Sequence, residues 1–82
     1  MYYFTFRSVT LAQRAYRLLT KAGVNGGLLR TPKALAMNGC GYCVRVRPEN
    51  GAKAAQIMQA GNANWSKCWR YQPPEQPREV VL

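Results

Sequence analysis

Tyr42-Cys43-Val44-Arg45-Val46-Arg47 decides how this chain folds. Tyr42, Val44 and Val46 share one face and Cys43, Arg45 and Arg47 the other, which is the two-residue period of a strand with one side turned to a core. Pro48-Glu49-Asn50-Gly51 then breaks the strand and opens a helix, in which Ala54, Ile57 and Met58 form an apolar stripe before Gly61. Trp65 to Tyr71 reads as a last strand. From Gln72 the chain is Pro-rich and ends in Val80-Val81-Leu82, a tail expected to be extended or mobile.

Upstream of the deciding strand, Asn38-Gly39-Cys40-Gly41 is a loop, and Ala34 to Met37 fits one helical turn. Val24 to Arg30 is a weaker strand diluted by Gly26 and Gly27, and Thr31-Pro32-Lys33 ends it. A first helix runs from Ser8, a suitable N-cap, through Leu11, Ala15, Leu18, Leu19 and Ala22 to Gly23. Gly23 suits the stop because glycine takes the left-handed conformation cheaply. Tyr2 to Phe6, aromatic and alternating, is the first strand.

The order is βαββαβ. It predicts an α+β, ferredoxin-like split: a four-stranded antiparallel sheet with two helices on one face. Residues 1–71 form a single thiol-bearing domain and 72–82 the tail. This topology brings the first strand's exit, the loop between strands two and three, and the entry to strand four to one end. Cys40 is thereby expected near Arg7, Ser8 and the first helix N-terminus, whose free N–H groups favour a thiolate. Arg7, Arg30 and Lys33 add cations to that rim, and Gly39 and Gly41 let backbone amides approach an anion closely.

Composition narrows the chemistry. The chain has 82 residues, 48 % of them apolar, enough for one modest core. Twelve Lys and Arg face three Glu, a net charge of +9 with no Asp or His. A field of that sign attracts nucleic acid, acidic proteins or phosphorylated ligands, although dispersed charges also serve as a solvated surface. Without histidine, a cysteine–histidine catalytic pair is excluded. No apolar run approaches the ~20 residues that span a bilayer. The N-terminal stretch lacks the basic and apolar regions of a signal peptide. The three cysteines therefore read as reduced and cytoplasmic, and they fall short of the four ligands of a structural zinc site.

Cys40-Gly41-Tyr42-Cys43 remains the chemical focus. Such a pair can close a disulfide or let one thiol resolve chemistry begun by the other. Cys40, flanked by glycines, is the candidate reactive thiol and Cys43 the candidate resolving thiol. A strand at Cys43 also fits a structural role, with the two thiols pointing apart. Cys68 reads as a core-facing strand residue. On the face away from the helices, Tyr3 and Thr5 join Arg45 and Arg47, with Trp69 beside them. Aromatic and arginine side chains on such a sheet suit base stacking, but Tyr42-Cys43-Val44-Arg45-Val46 lacks the ribonucleoprotein pattern. Burial of that face in a homodimer is the favoured alternative.

Tyr3-Phe4-Thr5-Phe6-Arg7-Ser8, Thr31-Pro32-Lys33 and Cys40-Gly41 leading into the strand to Val46 resemble the selenium/sulfur carrier-like family over residues 2 to 71. The resemblance implies a ferredoxin-like fold and a Cys-Gly pair at Cys40 and Gly41. It further implies that this cysteine holds a persulfide or selenide, with sulfur- or selenium-donating and accepting proteins as partners. Cys43 is an added thiol, and Lys33 stands where arginine is commoner, keeping the charge without the bidentate fork. The resulting expectation is a thiol carrier or redox protein without cofactor or metal, rather than a turnover enzyme. The alternative is a basic binding module for nucleic acid or an acidic protein through Arg45, Arg47 and Trp69.

Overall fold

A computed structural model describes residues 1–35 and 41–82 of the chain. The elements are β1 (Tyr2–Phe6), α1 (Val9–Lys21), β2 (Gly26–Arg30), β3 (Tyr42–Val46), a 3-10 turn at Pro48–Asn50, α2 (Gly51–Ala60), β4 (Lys67–Arg70) and β5 (Arg78–Val80). The strands form one sheet in the order β2-β3-β1-β4-β5, every neighbouring pair antiparallel. Among the described residues the fold is α+β, with two helices and a five-stranded sheet rather than the expected four strands.

The extra strand comes from the tail. Arg78–Val80 returns alongside β4, setting Val80 opposite Cys68 and Glu79 opposite Trp69. The Glu79 carboxylate meets the Lys67 ammonium at 3.8 Å, and Val80 packs against the edge of the core. Without β5 the outer edge of β4 would leave its backbone donors and acceptors unpaired. Proline-rich composition concealed this pairing, because it is dictated by the waiting edge and not by local propensity.

Sequence periodicity accounts for the main core. Phe4, Phe6, Val44, Val46 and Cys68 point from one sheet face toward Ala12, Ala15 and Leu19 of α1 and Ala54, Ala55 and Met58 of α2. Leu11, Leu18 and Ile57 flank this cluster half-buried, whereas Ala22 is exposed. Ser8 caps α1: its Oγ accepts the Leu11 N–H at 3.2 Å. Gly23 follows the last turn at φ +79°, the left-handed conformation that stops the helix.

Two strands are shorter than the sequence suggests. Val24 is buried in the core ahead of β2. Trp65 lies before β4, its ring edge-on to Phe4 with centroids 4.9 Å apart. On the second sheet face, Tyr3, Cys43 and Leu35 form a smaller cluster with Leu29, Trp69 and Tyr71. Leu35 belongs to a turn closed by its N–H donating to the Pro32 carbonyl at 2.9 Å. The rest of the helical turn expected over Ala34 to Met37 lies outside the described residues.

Candidate functional site at the β1 exit

Strand register assembles the site end of the sheet. Tyr42 at the start of β3 pairs with Phe6 at the end of β1 and with Arg30 at the end of β2. Beyond them, the Thr31 N–H donates to the Gly41 carbonyl at 2.8 Å. A Cβ built on Gly41 would lie 3.4 Å from the Phe6 carbonyl oxygen, so this residue sits directly beside the β1 exit. The Ser66 N–H donates to Thr5 at 2.7 Å and brings the entry of β4 to the same end. The convergence of these three chain passages thus follows from pairing register alone.

Arg7, Ser8, Arg30 and Lys33 are exposed at or near this end. The Arg30 guanidinium lies 5.9 Å from the centre of the Tyr42 ring, a cation–π distance. Ser8 is committed to capping α1, with its hydroxyl accepting from Leu11 and its carbonyl from Ala12 at 3.2 Å. Gly39 and Cys40 lie outside the described residues, as does the expected approach of Cys40 to the start of α1.

The other two cysteines are free thiols buried on opposite faces of the sheet. Cys43 pairs in register with Thr5 and Leu29 beneath the Leu35 cluster and is 0 % exposed. Burial pushes its thiol up to about 11, against a partial pull downward from a Thr31 hydrogen bond and the Arg45 charge. Cys68 sits in the main core, where burial alone drives its thiol to about 12. Both are protonated at neutral pH, and neither presents a nucleophile to solvent.

A family model described as "Putative Se/S carrier protein-like" matches residues 1–70. The chain belongs to this Se/S carrier-like family. No match was found among curated proteins or among solved structures. The family match ends at the last residue of β4, so the returning tail and β5 lie beyond it. Among the described residues, no helix of this Se/S carrier-like protein is long and apolar enough to cross a membrane.

The aromatic face is arranged differently from the expected stacking platform. Arg45, Tyr3, Trp69 and Glu79 do occupy one row across β3, β1, β4 and β5. Tyr3, however, is only 6 % exposed, with the Tyr71 ring 5.8 Å away. Trp69 is flanked by the Lys67 ammonium at 5.7 Å from its ring centre, and its indole N–H is buried. Arg47 lies past the end of β3 and is exposed. Two cavities went unnoticed in the sequence. One of about 170 Å³ includes Arg45 and Arg47, and another of about 570 Å³ lies between Arg70, Gln72 and Arg78. The second exists only because the tail folds back, which no local pattern announces.

Proposed function

We propose that this protein carries sulfane sulfur or selenium on Cys40, between a donor and an acceptor protein. The observation that carries the reading is membership of the Se/S carrier-like family over residues 1–70. It is supported by the position of Gly41, the neighbour of Cys40, beside the β1 exit. The frame is a ferredoxin-like split of β1 to β4 with β5 appended. Arg7, Arg30 and Lys33 supply the positive field for an anionic sulfur, and Gly39 and Gly41 leave room for backbone amides around it.

In loading, the Cys40 thiolate attacks the terminal sulfur of a donor persulfide. A new Cys40–sulfur bond forms and the donor leaves as a thiolate. In release, a nucleophile on the acceptor attacks the terminal atom, and Cys40 departs as the thiolate it began as. No net oxidation occurs in either step. A second release route has the Cys43 thiolate attack Cys40 Sγ, expelling hydrosulfide and leaving a disulfide that an external thiol must reduce. Burial under the Leu35 cluster and a thiol pushed up to about 11 weigh against that route unless the cover is displaced. Direct transfer from Cys40 is therefore the preferred mechanism, in a reducing compartment such as the cytoplasm.

Incubation with a low-molecular-weight persulfide, followed by intact-mass measurement and peptide mapping, tests this. One added sulfur should map to Cys40, persist in Cys43→Ser and vanish in Cys40→Ser. Equal loading of the Cys40→Ser variant, or loading of another cysteine, would sink the proposal. Alkylation against pH supplies the physical check: Cys40 should titrate below an unperturbed cysteine.

A further inference from the structure

β2 is the last strand on its side of the sheet, and among the described residues no strand pairs with its outer edge. The β2–β3 hairpin fixes which of its backbone groups face outward. The Thr31 N–H donates to the Gly41 carbonyl at 2.8 Å, one step beyond the Arg30–Tyr42 pair. Antiparallel bonding alternates along a strand, so Leu29 and Gly27 also turn their N–H and C=O groups toward β3. Gly26, Leu28 and Arg30 turn theirs outward. Among the described residues, no turn or loop backbone bond uses these three. Pro32, the next residue of that phase, has no N–H, so the open edge ends at Arg30.

An open strand edge is a template for another strand, and folded proteins commonly shield it with a short strand, proline or charge. The opposite edge is shielded in this way: β5 has 3 residues and follows directly on Pro77. β2 has 5 residues, no proline, and a charge only at its last position. The charge around it has a single sign. No acidic residue precedes Glu49, so the charged side chains of β1, α1, β2 and β3 are all basic. Arg30 is exposed at one end of the edge. A Cβ on Gly27 would meet Arg45 Nη2 at 3.7 Å, which brings a second guanidinium to β2. Glu75 and Glu79 belong to the tail, at the far side of the sheet.

We propose that the β2 edge binds an extended acidic segment of a partner protein as an added strand, through the outward N–H and C=O groups of Gly26, Leu28 and Arg30. Backbone pairing supplies the direction, and the basic surroundings select the charge of the segment. The far edge of the same sheet already holds such a segment: Arg78–Val80 pairs with β4 and sets the Glu79 carboxylate 3.8 Å from the Lys67 ammonium. A second copy of the chain is the poorer occupant, because it would bring another +9 against a surface that is itself basic. The edge is set by β2–β3 register, independently of the chemistry at Cys40.

Amide hydrogen exchange followed by nuclear magnetic resonance reads the edge residue by residue in the full chain. Without a partner, the Gly27 and Leu29 amides should be protected, and those of Gly26, Leu28 and Arg30 should exchange fast. An end-blocked heptapeptide of alternating glutamate and valine should protect the latter three saturably. N-methylation of two adjacent central residues breaks both edges of the peptide and should weaken binding roughly ten-fold or more. The counterpart with lysine for glutamate should not bind. Arg30→Glu should weaken binding several-fold more than Lys53→Glu, an equal change of charge on α2. Absence of saturable protection, or equal binding of the N-methylated or lysine peptide, would overturn the proposal. Equal losses in the two variants would also overturn it, since attraction would then come from net charge alone. Protection that grows with protein concentration and needs no peptide would assign the edge to a second copy instead. Peptide protection at β4 with release of β5 would move the docking site to the far edge.

Discussion

The two faces of the sheet bury cysteines by different means. Under the helices, Cys68 joins a cluster built from both helices and the central strands. On the other side, Cys43 is shielded by a small cluster around Tyr3 and Leu35, the latter carried by a turn. Both thiols are almost inaccessible, at 1 % and 0 %. Their surroundings nevertheless differ. Cys68 meets only desolvation, whereas Cys43 has a hydrogen bond from Thr31 and the field of Arg45 to offset part of it. Equal burial can therefore mean unequal chemistry, because the thinner cover admits polar groups from loop and strand.

The strongest challenge to this contrast is Phe4→Ala. Phe4 is fully buried among the helices and Trp65, so its loss should cost about 3–5 kcal/mol, read as a lower denaturant midpoint. Such a loss would unfold a domain of this size or bring it to the threshold. A cost near that of an exposed site would mean the helical face is not the principal core.

Leu35→Ala probes the thinner cover. Leu35 is 3 % exposed, and truncation should cost about 2 kcal/mol, the low end for a site able to collapse around the change. Alkylation of Cys43 under native conditions should accelerate while that of Cys68 stays slow. If both thiols speed up together, global unfolding and not local uncovering is responsible.

The finest distinction is in titration. Both folded-state values, about 11 and about 12, lie above the 9.0 of a free thiol. The folded state thus holds these protons more tightly than the unfolded one. The stabilisation is complete below pH 9 and is lost as pH rises through the folded-state values. Carbon-13 shifts at the cysteine Cβ atoms should show Cys43 ionising before Cys68. Replacing Cys68 with alanine should flatten the alkaline decline in stability. Reversal of the order would show that Thr31 and Arg45 do not reach Cys43.

Most of the fold was legible because it is locally encoded. Alternation assigned β1 and β3 and their faces, Ser8 and Gly23 bracketed α1, and the Ala54–Met58 stripe marked the buried side of α2. The element order also indicated which loops share an end, and the Gly41–Phe6 contact agrees with it. The site was legible only in part. Arg7 and Arg30 were placed by strand ends, but the commitment of Ser8 to a cap and the depth of Cys43 depend on neighbours that periodicity does not name. Arg45 and Arg47 were grouped with Trp69 in the sequence, and the cavity they share with Gly26 and Gly27 was not legible there.

By itself, the sequence determined the alternating strands, the limits of α1, the absence of histidine chemistry and the resemblance centred on Cys40-Gly41. Those features reside in residues a few positions apart, where side-chain direction and backbone preference act directly. Only the tertiary structure decided that Cys43 is covered, that the tail supplies β5, and that Arg45 rests on Gly27. Each of these joins segments distant in the chain, and depends on which edge or face was left unsatisfied once the local elements had formed.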